Sequence, residues 1–258
     1  MNFNWTIVAL SAGAIFLGAI VLGIAGFGLG QVAMGLMPLF RDPGEAAAIF
    51  GVVAVVSNFR VWWSVRDSFK WKDLLFPLIG MAVGLPLGIL VLQQLSEEQM
   101  RVIIGITLLV AVILIALFRE LKLFDKWFGD KEKDYQDPRY LGLIAGLLAG
   151  VLGGAVAIPG PPMIIYGAFM VAAGAWKSKK MKAIFTGYFS ILMLYRSISL
   201  SVTGDMTLNL FVEALMMLPG MLLGAWLGIK IYRIIPEKIF QWIVLGSLTI
   251  NAFILIFT

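Results

Sequence analysis

The chain alternates long apolar runs with short polar connections along its whole length. Most of the runs reach the roughly 18–20 residues that an α-helix needs to cross a bilayer. The apolar segments cover residues 6–25, 27–40, 45–65, 73–93, 98–118, 140–157, 160–176, 183–203, 209–232 and 238–257. The pattern predicts an all-α polytopic membrane protein with about eight full transmembrane helices and additional short segments.

Two of these segments, 27–40 and 160–176, are too short to cross comfortably at about 1.5 Å per residue. Each follows a glycine-rich break, and the second break contains Pro159-Gly160-Pro161-Pro162. A helix must end there, because proline lacks a backbone donor and clashes with the preceding turn, whereas Pro161 or Pro162 suits a first helical turn. We therefore expect two half-helices, either crossing or re-entrant, whose irregular backbone is buried in protein or lines a cavity.

The two halves of the chain carry the same landmarks in the same order, which predicts an internal repeat. One set of positions corresponds at an offset of 124 residues: Ala25-Gly26, Gly30 and Pro38 with Ala149-Gly150, Gly154 and Pro162. A second set corresponds at an offset of 140 residues: Gly80, Gly84, Gly88 and Glu97 with Gly220, Gly224, Gly228 and Glu237. The expected organisation is a first repeat over 1–118, a loop over 119–139 and a second repeat over 140–258.

Positive charge sets the expected orientation. Sixteen of the twenty Lys and Arg residues fall in four clusters, while the other connections hold only Arg41 and Arg101. The clusters lie around residues 66–72, 119–139, 177–182 and 230–238. The positive-inside rule then predicts that these loops are cytoplasmic and that both termini face outward. Matched segments run in opposite directions, so the repeats are expected to be inverted, as in many secondary transporters with broken helices near the midplane.

Composition narrows the function. The chain is 60% hydrophobic and 14% charged, and it contains no Cys and no His. Thiol chemistry and His-based metal sites are therefore excluded, and we expect no metal, no cofactor and no enzymatic activity. The net charge of +5 follows from the basic loops and does not indicate nucleic-acid binding.

The order and spacing of three motifs resemble those of a known family. The motifs are Gly23-Ile24-Ala25-Gly26-Phe27-Gly28-Leu29-Gly30 before Pro38, Gly153-Gly154 before Gly160-Pro161-Pro162 and Tyr166, and the glycine run from Pro219 to Gly228 before Pro236-Glu237. Over nearly its whole length the chain is similar to the TauE/SafE sulfite exporter-like anion permeases, also called the toluene sulfonate uptake permease family. The resemblance implies transport of sulfur-containing anions such as sulfite or organosulfonates, without fixing the substrate.

Arg196 is the most informative candidate for substrate binding. It lies roughly 21 Å of helix from Lys182 and roughly 14 Å from Asp205, close to the bilayer centre. Arginine at that depth is costly and usually faces the interior of the bundle or a water-filled cavity. Its planar fork suits a sulfite or sulfonate through paired N–H donors. The alternative is a structural ion pair, for which Glu213 is the nearest acidic residue in the next segment.

Further candidates surround the breaks or lie in the matching segments. Arg60 can instead snorkel to the interface, Asn58 can bond between helices, Gln31 can cap the first break, and Tyr166 and Tyr195 can be ordinary packing residues. At the breaks, free N–H groups and the positive end of a half-helix dipole suit an anion. The break residues expected to contact substrate are Gly28, Gly30, Gly153, Gly154, Gly160 and Pro161.

The preferred interpretation is a helical inner-membrane anion transporter that works by alternating access around a midplane site. Its expected partners are a small anion and the lipid bilayer, with a homodimer left open. A membrane assembly or scaffold protein is the alternative. An intramembrane enzyme is a weaker alternative, because convergent nucleophiles, bases or metal ligands at depth are lacking.

Overall fold

The structure, a computed structural model, describes residues 3–25, 28–120, 139–172, 175–232 and 237–257. Every regular element in these ranges is helical, and each predicted apolar segment coincides with a helix. The helices are α1 (Trp5–Ala25), α2 (Leu29–Leu36), α3 (Pro43–Val65), α4 (Trp71–Gln94), α5 (Glu97–Glu120), α6 (Arg139–Val156), α7 (Gly160–Ala172), α8 (Ser178–Thr203), α9 (Leu208–Tyr232) and α10 (Glu237–Phe257), with short 3₁₀ turns at Met37–Leu39 and Arg66–Ser68.

Five helical stretches in the described part are long and apolar enough to cross a membrane. They are Trp5–Ile24, Pro43–Ser68, Trp71–Gln94, Lys179–Thr203 and Leu208–Ile231. The stretches Leu29–Leu39, Tyr140–Val156, Gly160–Val171 and Leu248–Phe257 are apolar but shorter. The chain is thus a polytopic helical membrane protein, as predicted, and the expectation of about eight full spans remains a prediction.

Local sequence signals explain where several helices begin and end. Asp42 caps α3, because its side-chain oxygen accepts from the backbone N–H of Glu45 at 2.8 Å, and Pro43 occupies the first helical position. Ser96 and Gln99 form a reciprocal capping box at the start of α5. These polar caps fix the turns that close one end of the bundle.

Glycines on α4 allow a very close approach to α6. A Cβ built on Gly80, Gly84 or Gly88 would lie 2.1–2.2 Å from the carbonyl oxygens of Leu143, Leu147 and Val151, respectively. Only glycine permits such contact between helix backbones, and small residues at this spacing are typical of membrane helix pairs. The third full-length helix of the first half therefore packs against the first helix of the second half.

The reciprocal contact joins α9 to α1. A Cβ on Gly224 would lie 2.5 Å from the carbonyl oxygen of Phe16, and one on Gly228 would lie 2.3 Å from that of Ile20. The two glycine runs that match at an offset of 140 residues thus each allow close contact between helix backbones, one run in each half of the chain. Gly220 differs, since a Cβ there would meet nothing within 4 Å.

The bundle has two distinct polar ends. At the first, which we call the acidic end, Asp42, Glu45 and Asp205 line a cavity of about 220 Å³ together with the ends of α4 and α8. At the second, the basic end, Lys180 lies beside Asp73, near the basic residues of the turns before α4 and α8. The basic loop over 119–139 and the turn before Glu237 fall mainly on residues 121–138 and 233–236, outside the described residues.

Candidate anion site at the helix breaks

The first helix break uses a glycine in the left-handed region. Gly28 has φ of 103° and precedes the first residue of α2, a conformation that a residue with a Cβ adopts only with strain. Two residues later, a Cβ on Gly30 would lie 2.9 Å from the ring of Phe50 on α3. The ring thus packs against the first turn of α2, directly after the break. Gly26 and Phe27, part of the predicted motif, lie outside the described residues.

The second break is made by different residues. Ala157 has φ of 59°, the one positive value on a described residue other than glycine, and Pro159 follows it. Helix α7 then begins at Gly160 with Pro161 and Pro162 in its first turn, which confirms the predicted start of the second half-helix. The left-handed region costs an alanine roughly 1–2 kcal/mol, so packing must hold this conformation in place.

Every residue from Gly153 to Pro161 is buried in protein. The irregular backbone of this break is therefore shielded by the bundle, as backbone at membrane depth must be. The two breaks also approach each other: a Cβ built on Gly160 would lie 3.8 Å from the Gln31 side-chain nitrogen, which belongs to the first half-helix. Both halves of the chain thus contribute to one buried region.

Arg196 on α8 reaches this region and is completely buried, with 0% of its surface exposed. Its Nε donates to the carbonyl oxygen of Gly154 at 3.1 Å, and its Nη1 donates to that of Ala47 at 2.8 Å. Gly154 lies in the last turn of α6, where carbonyls lack intrahelical partners and the helix dipole is negative. Arg196 therefore stabilises the broken end of α6 and joins it to α3.

These bonds leave part of the guanidinium unused. Nη2 of Arg196 is buried without a hydrogen-bond partner, and so is the side-chain oxygen of the adjacent Ser197. A Cβ on Gly51 would lie 3.5 Å from both Arg196 Nη1 and the Ser197 oxygen, so the glycine leaves room beside both groups. Unpaired donors of this kind are rare in protein interiors, and an oxyanion would satisfy them.

The structure corrects the alternative interpretation of Arg196. Glu213 does not pair with it; Glu213 Oε2 instead lies 2.9 Å from Nη2 of Arg41. The described partners of Arg196 are backbone carbonyls, which bear no net charge to neutralise the guanidinium. The expected paired fork is also limited in this conformation, because two of the three guanidinium nitrogens already donate to protein.

The predicted glycines at the second break have packing partners. A Cβ on Gly153 would lie 2.7 Å from the side chain of Leu192, and one on Gly154 would lie 2.5 Å from the carbonyl oxygen of Leu85. Close helix packing therefore accounts for both glycines. A substrate contact by their backbone remains a prediction.

The remaining candidates are spread over the bundle. Tyr166 lies toward the start of α6, since its oxygen is 3.1 Å from a Cβ built on Gly142, and its ring meets that of Trp176 edge-on at 5.3 Å. Arg60 is exposed, while Asn58 and Tyr195 are partly buried. The structure thus brings Arg196, Gly154, Gln31 and Gly160 to the breaks and leaves Tyr166 and Arg60 outside that group.

Sequence reasoning missed Ser197, Gly51 and Ala47. The only signal for Ser197 was its position next to Arg196, and a backbone acceptor such as Ala47 has no signature in the sequence. Within the described residues, no group of three or more His, Cys, Asp or Glu side chains is arranged to hold a metal ion.

The fold defines a polytopic helical membrane protein with a buried arginine at its broken helices. A family model described as Sulfite exporter TauE/SafE matches residues 11–255, nearly the whole chain. The chain therefore belongs to the TauE/SafE sulfite exporter family, and the resemblance noted from its motifs is confirmed. Comparisons with curated proteins and with solved structures found no match.

Proposed function

We propose that this membrane transporter carries small sulfur-containing anions, such as sulfite or organosulfonates, through a site between the two helix breaks. The family is one of sulfur-anion transporters rather than enzymes. We propose the substrate, the transport mechanism and the site. We also propose that the protein lies in an inner membrane. The observation that carries the proposed site is the buried Arg196 guanidinium, one nitrogen of which has no hydrogen-bond partner.

The chemistry of Arg196 favours an anion as the missing partner. A buried positive charge is costly unless it is paired, and two backbone carbonyls supply only dipoles. A tetrahedral or pyramidal oxyanion could accept from Nη2 of Arg196 and from the Ser197 hydroxyl at once. Its charge would also benefit from the positive end of α7, which begins at Gly160 within the same buried region.

The packing of the halves supports inverted repeats and alternating access. Matching glycine runs on α4 and α9 each contact the first helix of the opposite half. One half of the chain can then rock against the other around the breaks, so that each helix takes up the packing that its equivalent had before. The four basic loops would face the cytoplasm under the positive-inside rule, which places the cavity at the acidic end on the outer side.

Counter-transport in proteoliposomes tests this function. Vesicles loaded with unlabelled sulfite should accumulate labelled sulfite faster than protein-free vesicles, and excess organosulfonate or sulfite outside should compete. A parallel panel of chloride, phosphate and acetate should compete poorly if the site is tuned to sulfur oxyanions.

The alternative classes make different predictions in the same assay. A scaffold or assembly protein would give no accumulation of any anion above protein-free vesicles. An intramembrane enzyme would alter the labelled compound chemically, which chromatography of the vesicle contents would detect. Either outcome with well-folded protein would reject the transporter.

A further inference from the structure

We propose that two equivalent ion pairs, Arg41–Glu213 and Asp73–Lys180, act as latches that close opposite ends of the transporter in turn. The proposal rests on the alternating-access function proposed above and adds the contacts that must break as each end opens. Neither pair touches the site at Arg196. Each joins one half of the chain to the other.

The first latch lies toward the acidic end. Nη2 of Arg41, in the turn before α3, lies 2.9 Å from Oε2 of Glu213 on α9. Nη1 of Arg41 donates to the hydroxyl of Ser11 on α1 at 3.2 Å. Arg41 is 8% exposed and Glu213 is 7% exposed, so the pair is removed from water. It therefore holds the segment that follows the C-terminal end of the first half-helix against α1 and α9.

The second latch lies at the basic end. Nζ of Lys180, in the first turn of α8, lies 2.9 Å from Oδ2 of Asp73 in the first turn of α4. The indole N–H of Trp176, which precedes α8, donates to the other carboxylate oxygen of Asp73 at 3.4 Å. This pair holds the exit of the second half-helix against the start of α4.

The two pairs occupy equivalent positions in the two halves. Asp73 and Glu213 are separated by the same 140 residues that relate the glycine runs, and each lies seven residues before the first glycine of its run, Gly80 or Gly220. Their basic partners also correspond, because Arg41 and Lys180 both follow a half-helix at the junction with the next long helix. In each pair, the acid and the base come from opposite halves.

Both latches can open without leaving a buried cation unpaired. Arg41 keeps a second carboxylate, Glu45 Oε2 at 3.2 Å, and the Glu45 side chain is 48% exposed. The Lys180 side chain is 20% exposed, so water can replace Asp73. Breaking a buried ion pair is costly where a charge is left without a partner or water, so Glu213 must meet water as the acidic end opens. Here each base has another partner on its own half or in solvent.

Cysteine labelling tests the latches, because the natural chain contains no cysteine. Ala48 lines the cavity at the acidic end and is almost fully buried, so Ala48→Cys reports opening of that end. We would measure the rate at which an impermeant maleimide, added from the side of the acidic end, labels this cysteine in reconstituted vesicles. Glu213→Gln should raise the rate several-fold, and Asp73→Asn should lower it several-fold.

A matched control separates the latches from loss of any ion pair. Glu97 and Arg101 pair at 3.5 Å within α5, also near the acidic end, but belong to the same half. Glu97→Gln should therefore leave the labelling rate unchanged. If Glu213→Gln does not fold, Ser11→Ala removes one hydrogen bond of Arg41 and should raise the rate more modestly.

The outcomes distinguish the latches from the transport function. Rates that shift in the same direction, or that match the Glu97→Gln control, would overturn the latches even in a protein that still transports sulfite. Opposite shifts in a protein that moves no anion in the counter-transport assay would support the latches and reject the proposed substrate.

Discussion

The two helix breaks each precede a short half-helix, one in each half of the chain, but they are built differently. The first uses Gly28 to turn the chain, and the ring of Phe50 packs beside Gly30 directly after it. The second uses a strained Ala157, three prolines and a carbonyl of Gly154 that accepts from Arg196. Gly30 matches Gly154 at the predicted offset of 124 residues, but the structure places Gly30 just after the first break and Gly154 just before the second. A phenyl ring lies against the first break, whereas a guanidinium bonds the backbone at the second.

We infer from this difference that the two breaks share a structural role, as turns between helices, but not a binding role. A hydrophobic ring over Gly30 gives an anion nothing to bind, whereas Arg196 brings a charge and an unpaired donor to the second break. The glycine at the first break leaves the backbone freer, while prolines fix φ at the second. We infer that the second break holds the substrate and that the first completes its enclosure through Gln31.

Replacement of Arg196 should weaken sulfite binding more than any other substitution at the two breaks. Arg196→Lys keeps the charge but places its donors on one nitrogen, which cannot span the positions that Nε, Nη1 and Nη2 reach. Affinity for sulfite should therefore fall at least about tenfold, equivalent to about 1.4 kcal/mol. Saturation kinetics of uptake would measure the fall. Sulfite should also raise the melting temperature of the wild-type protein and not that of the variant, which a purely structural role of Arg196 would not predict.

Arg60 supplies the matched control, because it lies on the corresponding helix of the first half but is exposed. Arg60→Lys should change sulfite affinity by less than about twofold, as expected for an exposed charge. Equal losses in the two variants would show that the breaks are functionally alike and that the asymmetry is only one of packing.

Much of the fold followed from the sequence because its signals are local. Apolar length predicted each helix, and proline chemistry predicted that α7 begins around Pro161. The burial of Arg196 followed from its distance to the flanking charges. Each of these inferences needs only residues that are neighbours along one helix.

The contacts of the site depend on partners far apart in sequence, and these were harder to predict. Arg41 was counted only as a connection residue, yet it pairs with Glu213, 172 positions away. Proximity along the chain offers Glu213 as an alternative, ion-pair partner of Arg196, and that alternative is wrong. Tyr166 belongs to a recognised motif, but its ring packs on Trp176. Periodicity shows that such a side chain is buried, not which neighbour it meets.

The space between the breaks offers the next sharpest test. A Cβ on Gly160 would meet only the nitrogen of Gln31 at 3.8 Å and a terminal carbon of Ile164 at 3.9 Å, so Gly160→Ala should fold and retain much of its transport. Gly160→Leu should abolish most transport, because its side chain would extend into the region where we place the anion. Uptake rates normalised to folded protein would show this.

Gly220→Leu is the control for side-chain size, since a Cβ at Gly220 meets nothing within 4 Å and the position is away from the breaks. It should transport normally. Normal transport by Gly160→Leu would remove this gap from the anion path and leave Arg196 alone to define the site.

The smallest effects should come from the residues that turn the chain, and they should have opposite signs. Ala157→Gly relieves an alanine at φ of 59° but adds flexibility to the unfolded chain, so stability should rise by no more than about 1 kcal/mol. Gly28→Ala introduces a Cβ at φ of 103° and 2.7 Å from Val21, so stability should fall by about 1 kcal/mol or more. In a chain of this size, about 1 kcal/mol corresponds to roughly 2–4 °C in melting temperature. Thermal unfolding of both variants in the same detergent would measure the two shifts.

If Ala157→Gly destabilised the protein as much as Gly28→Ala, the strain at Ala157 would not be relieved by glycine. The contrast between a flexible first break and a rigid, strained second break would then fail.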